Sequence, residues 1–379
     1  MKNIGIICEY NPFHNGHARQ LRFVKEQGTA VCLMSGNYVQ RGEPAVISKG
    51  IRAEAAVLGG ADLVLELPVT YALRSAEGFA DGGVEIFQRL GLIDSLCFGS
   101  ECGDGERLMA LAALLDREEF SHMLREKLAQ GLSFPAARQQ AVEALGVEAE
   151  ILANPNDILA VEYCKAILRR GISMEAMPLQ RNGSYHQGTA PEAPSASMLR
   201  EMENWSGYMP KNCCELQEAA VRHSLMAGER AVLARLRAME EAEFEQLPFG
   251  SEGLWRKLMH ACRKENSTAE ILAAVKSKRY THTRIMRMLL CAFLGISEEE
   301  MRQQVPYVRV LAMNEQGGKL LRQLRAQSDL LLLNGNETAP HCPYARLEQR
   351  CEALYGLFTD GETQPPLQEE RLRYLADFH

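Results

Sequence analysis

Over its first hundred residues the chain alternates short, continuous apolar runs with longer amphipathic stretches. The runs at Asn3–Cys8, Thr29–Met34, Asp62–Leu67 and Ser95–Gly99 have the length and composition of strands buried on both faces. Between them, His17–Glu26, Gly50–Leu58 and Ser75–Leu90 carry apolar residues at helical spacing. Strands separated by helices of about ten residues or more imply βαβ units. Right-handed crossovers then predict a doubly wound, Rossmann-like α/β domain with a parallel sheet.

The pattern continues more loosely to about residue 205. Residues 106–147 read as helical, with Pro135 at a helix start or break. Asn154-Pro155-Asn156-Asp157 is a turn leading into a helix to about Arg170, and Ile172–Leu179 is a further strand. A polar Gly- and Pro-rich loop follows, and Ser195-Ala-Ser197 opens the next helix. Beyond residue 205 the period changes. Cys213–Met226, Glu229–Met239, Glu252–Lys264, Ser267–Val275 and Thr283–Leu294 all read as helices. Tyr307–Met313 and Leu330–Leu333 read as short strands flanking a helix at Lys319–Arg325. The division expected is therefore residues 1–205 as a catalytic α/β domain and residues 206–379 as a mainly α-helical domain.

Composition narrows the class. With 46% hydrophobic and 24% charged residues, the 379-residue chain has the make-up of a soluble globular protein. No apolar run approaches the ~18 residues of a membrane span. The first run, Ile4–Cys8, is too short for a signal peptide, so a cytoplasmic location is expected. The eleven cysteines are scattered without a CxxC pair, and several sit inside apolar runs. They read as structural thiols, and no metal site is expected among them. The net charge of −7 argues against indiscriminate coating of nucleic acid, and no DNA partner is expected. That average conceals a segregation: residues 253–287 carry +7, leaving −14 for the remainder.

The strongest chemical feature follows the first strand. Glu9-Tyr10-Asn11-Pro12-Phe13 leads into His14-Asn15-Gly16-His17 at a helix start, on the first βα turn of a parallel sheet. Two histidines three residues apart share a face beside unpaired backbone N–H groups and the positive end of the helix dipole. That is a phosphate site, with imidazole donors able to stabilise charge on a leaving pyrophosphate. Gly16 is expected to clear space for a nucleotide. An HxxH pair by itself is more often two solvated or core histidines. Its placement, and the residues around it, turn the reading toward catalysis.

His14-Asn15-Gly16-His17 resembles the HxGH signature of the nucleotidyltransferase superfamily. The longer Glu9–His17 string is similar to one family within it, the bacterial tRNA(Met) cytidine acetate ligases. So are Ser35-Gly-Asn-Tyr-Val-Gln-Arg-Gly-Glu-Pro-Ala45, Ala61-Asp-Leu-Val-Leu-Glu-Leu-Pro68, Phe98-Gly-Ser-Glu101 and Lys278-Arg-Tyr-Thr-His-Thr-Arg284. The resemblance extends over nearly the whole chain. It implies a ligase that forms acetyl-adenylate from acetate and ATP, with Mg²⁺ expected alongside the ATP, and then acetylates N4 of the wobble cytidine (C34) of elongator tRNA(Met), giving N4-acetylcytidine. It implies His14 and His17 as catalytic residues. ATP contacts would come from Ile7, Cys8, Glu9, Tyr10, Asn11, Pro12, Phe13, His14, Asn15, Gly16, His17, Ala18, Arg19 and Gln20, with Gly99, Asn156 and Arg181. Acetate itself comes from the resemblance and from no residue in particular.

Each of the outlying positions has a plainer reading. Gly99 is also an ordinary turn glycine, Asn156 a helix cap, and Arg181 a surface arginine. Ser195, Ser197 and Arg200 resemble the second superfamily signature and are candidate phosphate contacts, although Ser195 or Ser197 would equally serve as a cap. Lys49 and Arg52 lie near the Ser35–Ala45 loop and read chiefly as an exposed helix start. The basic segment 253–287 is the candidate RNA surface, with Lys278, Arg279, Arg284 and Arg287 as candidate tRNA contacts. Trp255, Tyr280 and His282 could stack on unpaired bases. Two other functions fit parts of the chain: a small-molecule adenylyltransferase of cofactor synthesis, and a non-catalytic RNA-binding regulator. The first leaves the basic C-terminal face unused, and the second does not need two histidines at a phosphate site.

Overall fold

The structure is a computed structural model that describes residues 1–147, 149–180, 196–277, 279–334, 337–360 and 373–375. Among these residues one large sheet organises the molecule. Its strands are β1 (Lys2–Cys8), β2 (Gly28–Ser35), β5 (Leu63–Leu67), β6 (Ser95–Ser100), β7 (Glu175–Gln180), β8 (Tyr307–Met313), β9 (Leu331–Asn334) and β10 (Arg373–Tyr374). A two-stranded hairpin of β3 (Tyr38–Val39) and β4 (Glu43–Pro44) stands apart. The order across the sheet is β10-β8-β5-β2-β1-β6-β7, and β9 pairs with β8 on the outer side, beside the shorter β10.

The strands β5-β2-β1-β6-β7 are parallel throughout, as the buried apolar runs require. The chain builds outward from β1 to β2 and β5, then crosses to β6 and β7 on the other side. The strand order therefore reverses between β1 and β6, where a doubly wound sheet opens a crevice at its carboxyl edge. Pairing confirms the opening. β1 and β6 share only Ile4–Ser95 and Gly5–Leu96, so their carboxyl ends part.

Two apolar layers cover the sheet. One face packs Leu33, Leu65, Phe79, Phe87 and Tyr163 with the helices Ala76–Leu90 and Pro155–Arg170. The other packs Ile4, Ile6, Phe13, Leu21, Val24 and Ala56 with the helices Asn15–Lys25 and Lys49–Leu58. Phe13 seats so closely on Gly59 that a Cβ there would meet its ring at 2.3 Å. The segment before the first helix is thus anchored as well as the helix.

The C-terminal residues depart from the expected division at residue 205. A helical cluster does form, from Leu254–Lys264, Thr268–Val275 and His282–Leu294 around Trp255, Leu258, Ile285 and Leu289. The chain then returns to the sheet, where β8 pairs antiparallel with β5 and receives β9 and β10. The physical reason is an edge. β5 would otherwise expose a row of backbone groups, and Tyr307–Met313 is apolar enough to be buried almost throughout. Helix Pro343–Tyr355 then packs back on the helical cluster, so Tyr38 of the hairpin bonds the Cys351 carbonyl at 2.8 Å.

Candidate active site

The Glu9–His17 string sits at the carboxyl end of β1, at the mouth of the crevice. His14 is extended at the N-cap of helix Asn15–Lys25, and its Nδ1 accepts from the Gly16 N–H at 3.0 Å. His17, three residues on, returns the favour: its Nδ1 accepts from the His14 N–H at 3.3 Å. This is a capping box built from two imidazoles. The rings stack with centroids 3.7 Å apart. Because each Nδ1 is an acceptor, each neutral ring carries its proton on Nε2, the donor a phosphate oxygen needs. Gly16 makes room for this pair: an added Cβ would stand 2.8 Å from the His14 ring.

Beneath the rings lies an aromatic floor. Tyr10 is 1% exposed, with its ring 4.8 Å from His17 and 5.1 Å from Phe13. Ile7, Pro12, Phe13 and Ala18 are likewise buried, so they shape the backbone of the site and not its surface. Cys8, Glu9, Gln20 and His17 are half-buried, whereas Asn15, Gly16 and Arg19 are exposed. Asn15 ties the helix start to the following region, donating to the Gly207 carbonyl at 3.1 Å.

The other wall of the crevice is the end of β6. Gln20 donates to the Cys97 carbonyl at 3.2 Å and Arg19 to the Gln180 carbonyl at 3.4 Å, joining the first helix to β6 and β7. Gly99 ends β6 half-buried. Beyond it, fully buried Asp157 accepts from the Ser100 hydroxyl at 2.5 Å and from the Glu101 and Cys102 N–H groups at 2.9 and 3.1 Å. Glu101 reciprocates, accepting from Asn156 at 2.5 Å and from the Asp157 N–H at 3.0 Å. Phe98–Glu101 and Asn154–Asp157 are therefore one unit, which holds Gly99 and Asn156 together. Asp157 and Glu101 were not singled out as site residues. An acid in the first turn of a helix reads as a cap, and only the fold shows that this one is spent on the turn that follows β6.

A third wall brings charge. Arg200 donates to the Asn11 carbonyl at 3.0 Å and to the Ser197 hydroxyl at 3.2 Å, so these two candidate phosphate contacts do reach the Glu9–His17 segment. Arg181 and Ser195 lie outside the described residues. Glu9 accepts from the Gln40 N–H at 2.7 Å. Burial pushes its carboxyl above the usual carboxylate range, while that hydrogen bond and the nearby Arg200, Arg52 and Arg41 pull it back.

Lys49 and Arg52 are the clearest corrections. Neither is an exposed helix start: they are 3% and 0% exposed. Arg52 donates to the carbonyls of Ile47, Glu9, Ser35 and Gly36, fixing the strand-to-loop corners behind the site. Lys49 bonds both oxygens of Glu66 at 2.9 Å and Glu352 at 2.8 Å. A helix start read as solvated is buried because helix Pro343–Tyr355 closes over it, which local sequence does not reveal.

The basic segment also divides differently from expectation. Arg287 is 5% exposed and braces the Gln40 carbonyl at 3.3 Å, so it is no surface contact. Burial pushes its guanidinium down to about 10. Arg284 is committed to the Phe249 carbonyl at 2.9 Å, and Arg279 is exposed and paired with Glu252 at 2.8 Å. Lys278 lies outside the described residues. Trp255 is packed in the helical cluster and is not available to stack, whereas His282 is exposed and Tyr280 half-exposed. The exposed cations of helix Leu254–Lys264 are Arg256, Lys257, Arg263 and Lys264, on one face.

A histidine-capped helix start at the switch point of a parallel sheet defines a nucleotidyltransferase-type site. Comparison with known proteins agrees. The family model described as HIGH Nucleotidyl Transferase matches residues 1–370. A tRNA(Met) cytidine acetate ligase from Acetivibrio thermocellus is 34% identical over 364 residues, covering 88% of each chain. One from Clostridium novyi is 35% identical over 356 residues, covering 87% of this chain and 89% of the relative. Thermotoga maritima TmcAL, solved bound with alpha-thio ATP, superposes with a TM-score of 0.86 at 29% identity, covering 99% of this chain and all of the other. Its apo form gives 0.88 at 29% identity over the full length of both. The chain belongs to the HIGH nucleotidyl transferase family, and within it to the tRNA(Met) cytidine acetate ligases.

Proposed function

We propose that this chain joins acetate to ATP as acetyl-adenylate and then acetylates N4 of the wobble cytidine (C34) of elongator tRNA(Met), giving N4-acetylcytidine. The observation that carries the reading is the reciprocal His14–His17 cap, which makes Nε2 the N–H donor of each neutral ring at a helix start. An acetate oxygen attacks the α-phosphorus of ATP, and the bond to the β-phosphate bridging oxygen breaks. His14 and His17 stabilise the charge that develops on the phosphates. The cytidine amine then attacks the acetyl carbonyl, loses a proton, and AMP departs with the bond it shared with the acyl group.

The segment Ile7–Gln20 with Gly99 and Asn156 would hold the nucleotide, supported by the alpha-thio ATP bound in the Thermotoga relative. Mg²⁺ would enter with ATP. Among the described residues no three His, Cys, Asp or Glu side chains group as metal ligands, so the phosphates would supply its anchor, and no step is routed through it. The tRNA would lie along the exposed cations of the helical region, residues 206–302 in particular. No described helix is long and apolar enough to cross a membrane, which accords with work on tRNA in the cytoplasm.

The test is direct. Purified full-length protein with ATP, acetate and unmodified elongator tRNA(Met) should release pyrophosphate only with acetate present and yield N4-acetylcytidine. His17→Ala should slow the acetate-dependent pyrophosphate release by about 10²–10³-fold. No acetylated tRNA from the wild type would remove the proposal. Wild-type release that needs some other small substrate would favour a cofactor-type adenylyltransferase.

A further inference from the structure

The Ser35–Ala45 loop presents one side chain that the nucleotide site described above does not use. Arg41 is exposed at the tip of the β3–β4 hairpin, and its Nη1 lies 3.4 Å from the Ser197 hydroxyl. Arg200 reaches the same hydroxyl from the other side at 3.2 Å while holding the Asn11 carbonyl. Two guanidinium groups from distant segments of the chain thus converge on one neutral oxygen, and one of them also holds the Asn11 carbonyl, three residues before His14. A hydroxyl cannot balance two cations.

The surrounding charge favours an anion. Arg41, Arg52 and Arg200 all act on Glu9, and Glu9 is the carboxylate they share. Its Oε1 is already engaged by the Gln40 N–H and the Ser35 hydroxyl. Arg41, Arg52 and Arg200 thus place three positive charges around the Glu9 carboxylate, beside the phosphate-binding helix start. Planar guanidinium pairs are suited to phosphate oxygens, each offering parallel N–H donors.

The backbone under Arg41 is held from three directions. Gln40 donates its N–H to Glu9 and its side-chain amide to the Arg74 carbonyl at 3.2 Å, and its carbonyl accepts from Arg287. Gly42, at φ +85°, lies against the His282–Leu294 helix so closely that a Cβ would meet the Arg287 nitrogen at 2.5 Å. Only glycine permits that turn and that approach. The loop therefore fixes where the Arg41 side chain starts, an arrangement that lowers the ordering cost of gripping a ligand.

We infer that Arg41 and Arg200 form a two-guanidinium clamp, with the Ser197 hydroxyl between them, that grips the β- and γ-phosphates of ATP and carries the pyrophosphate as it leaves. This rests on the adenylation reading and adds to it a residue from the hairpin and a division of labour. In the first half-reaction the acetate oxygen–phosphorus bond forms, and the phosphorus–oxygen bond to pyrophosphate breaks with its electron pair going to that oxygen. Arg41 neutralises the charge arriving there. In the second half-reaction pyrophosphate is gone, and Arg41 has no part.

Arg41→Ala and Arg41→Lys in the full chain separate these roles. Binding to ATP, inorganic pyrophosphate and AMP is measured by calorimetry. Acetate-dependent pyrophosphate release is measured separately from acetyl transfer to tRNA from supplied acetyl-adenylate. Arg41→Ala should weaken ATP and pyrophosphate at least about tenfold, leave AMP unchanged, and slow pyrophosphate release by about 10²-fold. Lysine should restore part of both. Transfer from acetyl-adenylate should stay within about twofold of wild type. Unchanged pyrophosphate affinity, or transfer lost in proportion to release, would overturn the clamp. The binding arms read it even if the wild type shows no acetate-dependent turnover, an outcome that would sink the adenylation reading and leave the clamp standing.

Discussion

The Glu9–His17 crevice and the basic 253–287 segment both draw attention in the sequence, and the fold treats them in opposite ways. Around Glu9–His17, side chains from the first helix, the hairpin, β6, the Pro155–Arg170 helix and Ser197–Arg200 converge on a few ångströms. In the basic segment the charges diverge: Arg287 is buried on Gln40, Arg284 holds the Phe249 carbonyl, exposed Arg279 pairs with Glu252, and the Arg256–Lys264 face is turned outward. A motif that depends on spacing within one turn survives into three dimensions almost unchanged. A run of like charge does not, because each long side chain finds its own partner, and a cation is as able to brace a loop as to meet a phosphate.

The sharpest way to break the comparison is at Asp157. If the crevice is a converged unit, Asp157→Ala strands the buried Ser100 hydroxyl and two partly buried N–H groups and should cost about 3 kcal/mol in denaturant unfolding. ATP affinity should fall with it, and Asp157→Asn, which keeps an acceptor, should lose less of both. Loss of neither would mean that the two walls do not depend on each other.

The seam between the two regions has its own signature. His223 is buried, stacked 4.0 Å from Tyr355, and bonded through its N–H to the Val46 carbonyl beside the hairpin. Burial pushes its imidazole down from 6.5 to about 4. The unfolded chain therefore binds a proton near pH 6.5 that the folded chain refuses until about pH 4. Stability from this group is full above pH 6.5 and is lost as the pH falls toward 4, by about 3 kcal/mol. His223→Gln should flatten that part of the stability–pH curve; an unchanged slope would assign it to other groups.

The smallest effect on stability is expected on the outward face. Neutralising Arg256, Arg263 and Lys264 together should move unfolding by no more than about 0.5 kcal/mol. The same change should lower the salt-dependence slope of tRNA binding by about two. Arg287→Ala should do the reverse, costing stability through a buried brace with little change in that slope. Equal slopes in wild type and triple variant would place the RNA surface elsewhere.

Much of the fold was legible because strand and helix periods are local. The four N-terminal strands appear within a residue or two of their expected limits, and β8 spans Tyr307–Met313 as read. The partner of β8 was not legible. Its apolar pattern states that it is buried and says nothing of where, and the open edge of β5 decides. Within the site, the His14–His17 pair was legible by spacing and Arg200 by its resemblance to a signature, whereas the partners of Arg41, Glu101 and Asp157 lie fifty residues or more away and leave no local mark.

The sequence by itself determined the strand–turn–helix that pairs two imidazoles at a helix start, since capping, ring placement and tautomer all follow from residues within one turn. It also determined that the parallel strands are buried on both faces. Only the tertiary structure decided that Lys49 and Arg52 lie in the interior, that Arg287 braces a loop instead of an RNA, and that Arg41 faces Arg200. Those outcomes depend on which distant surface covers a side chain, and burial, unlike helical period, is a property of the assembled chain.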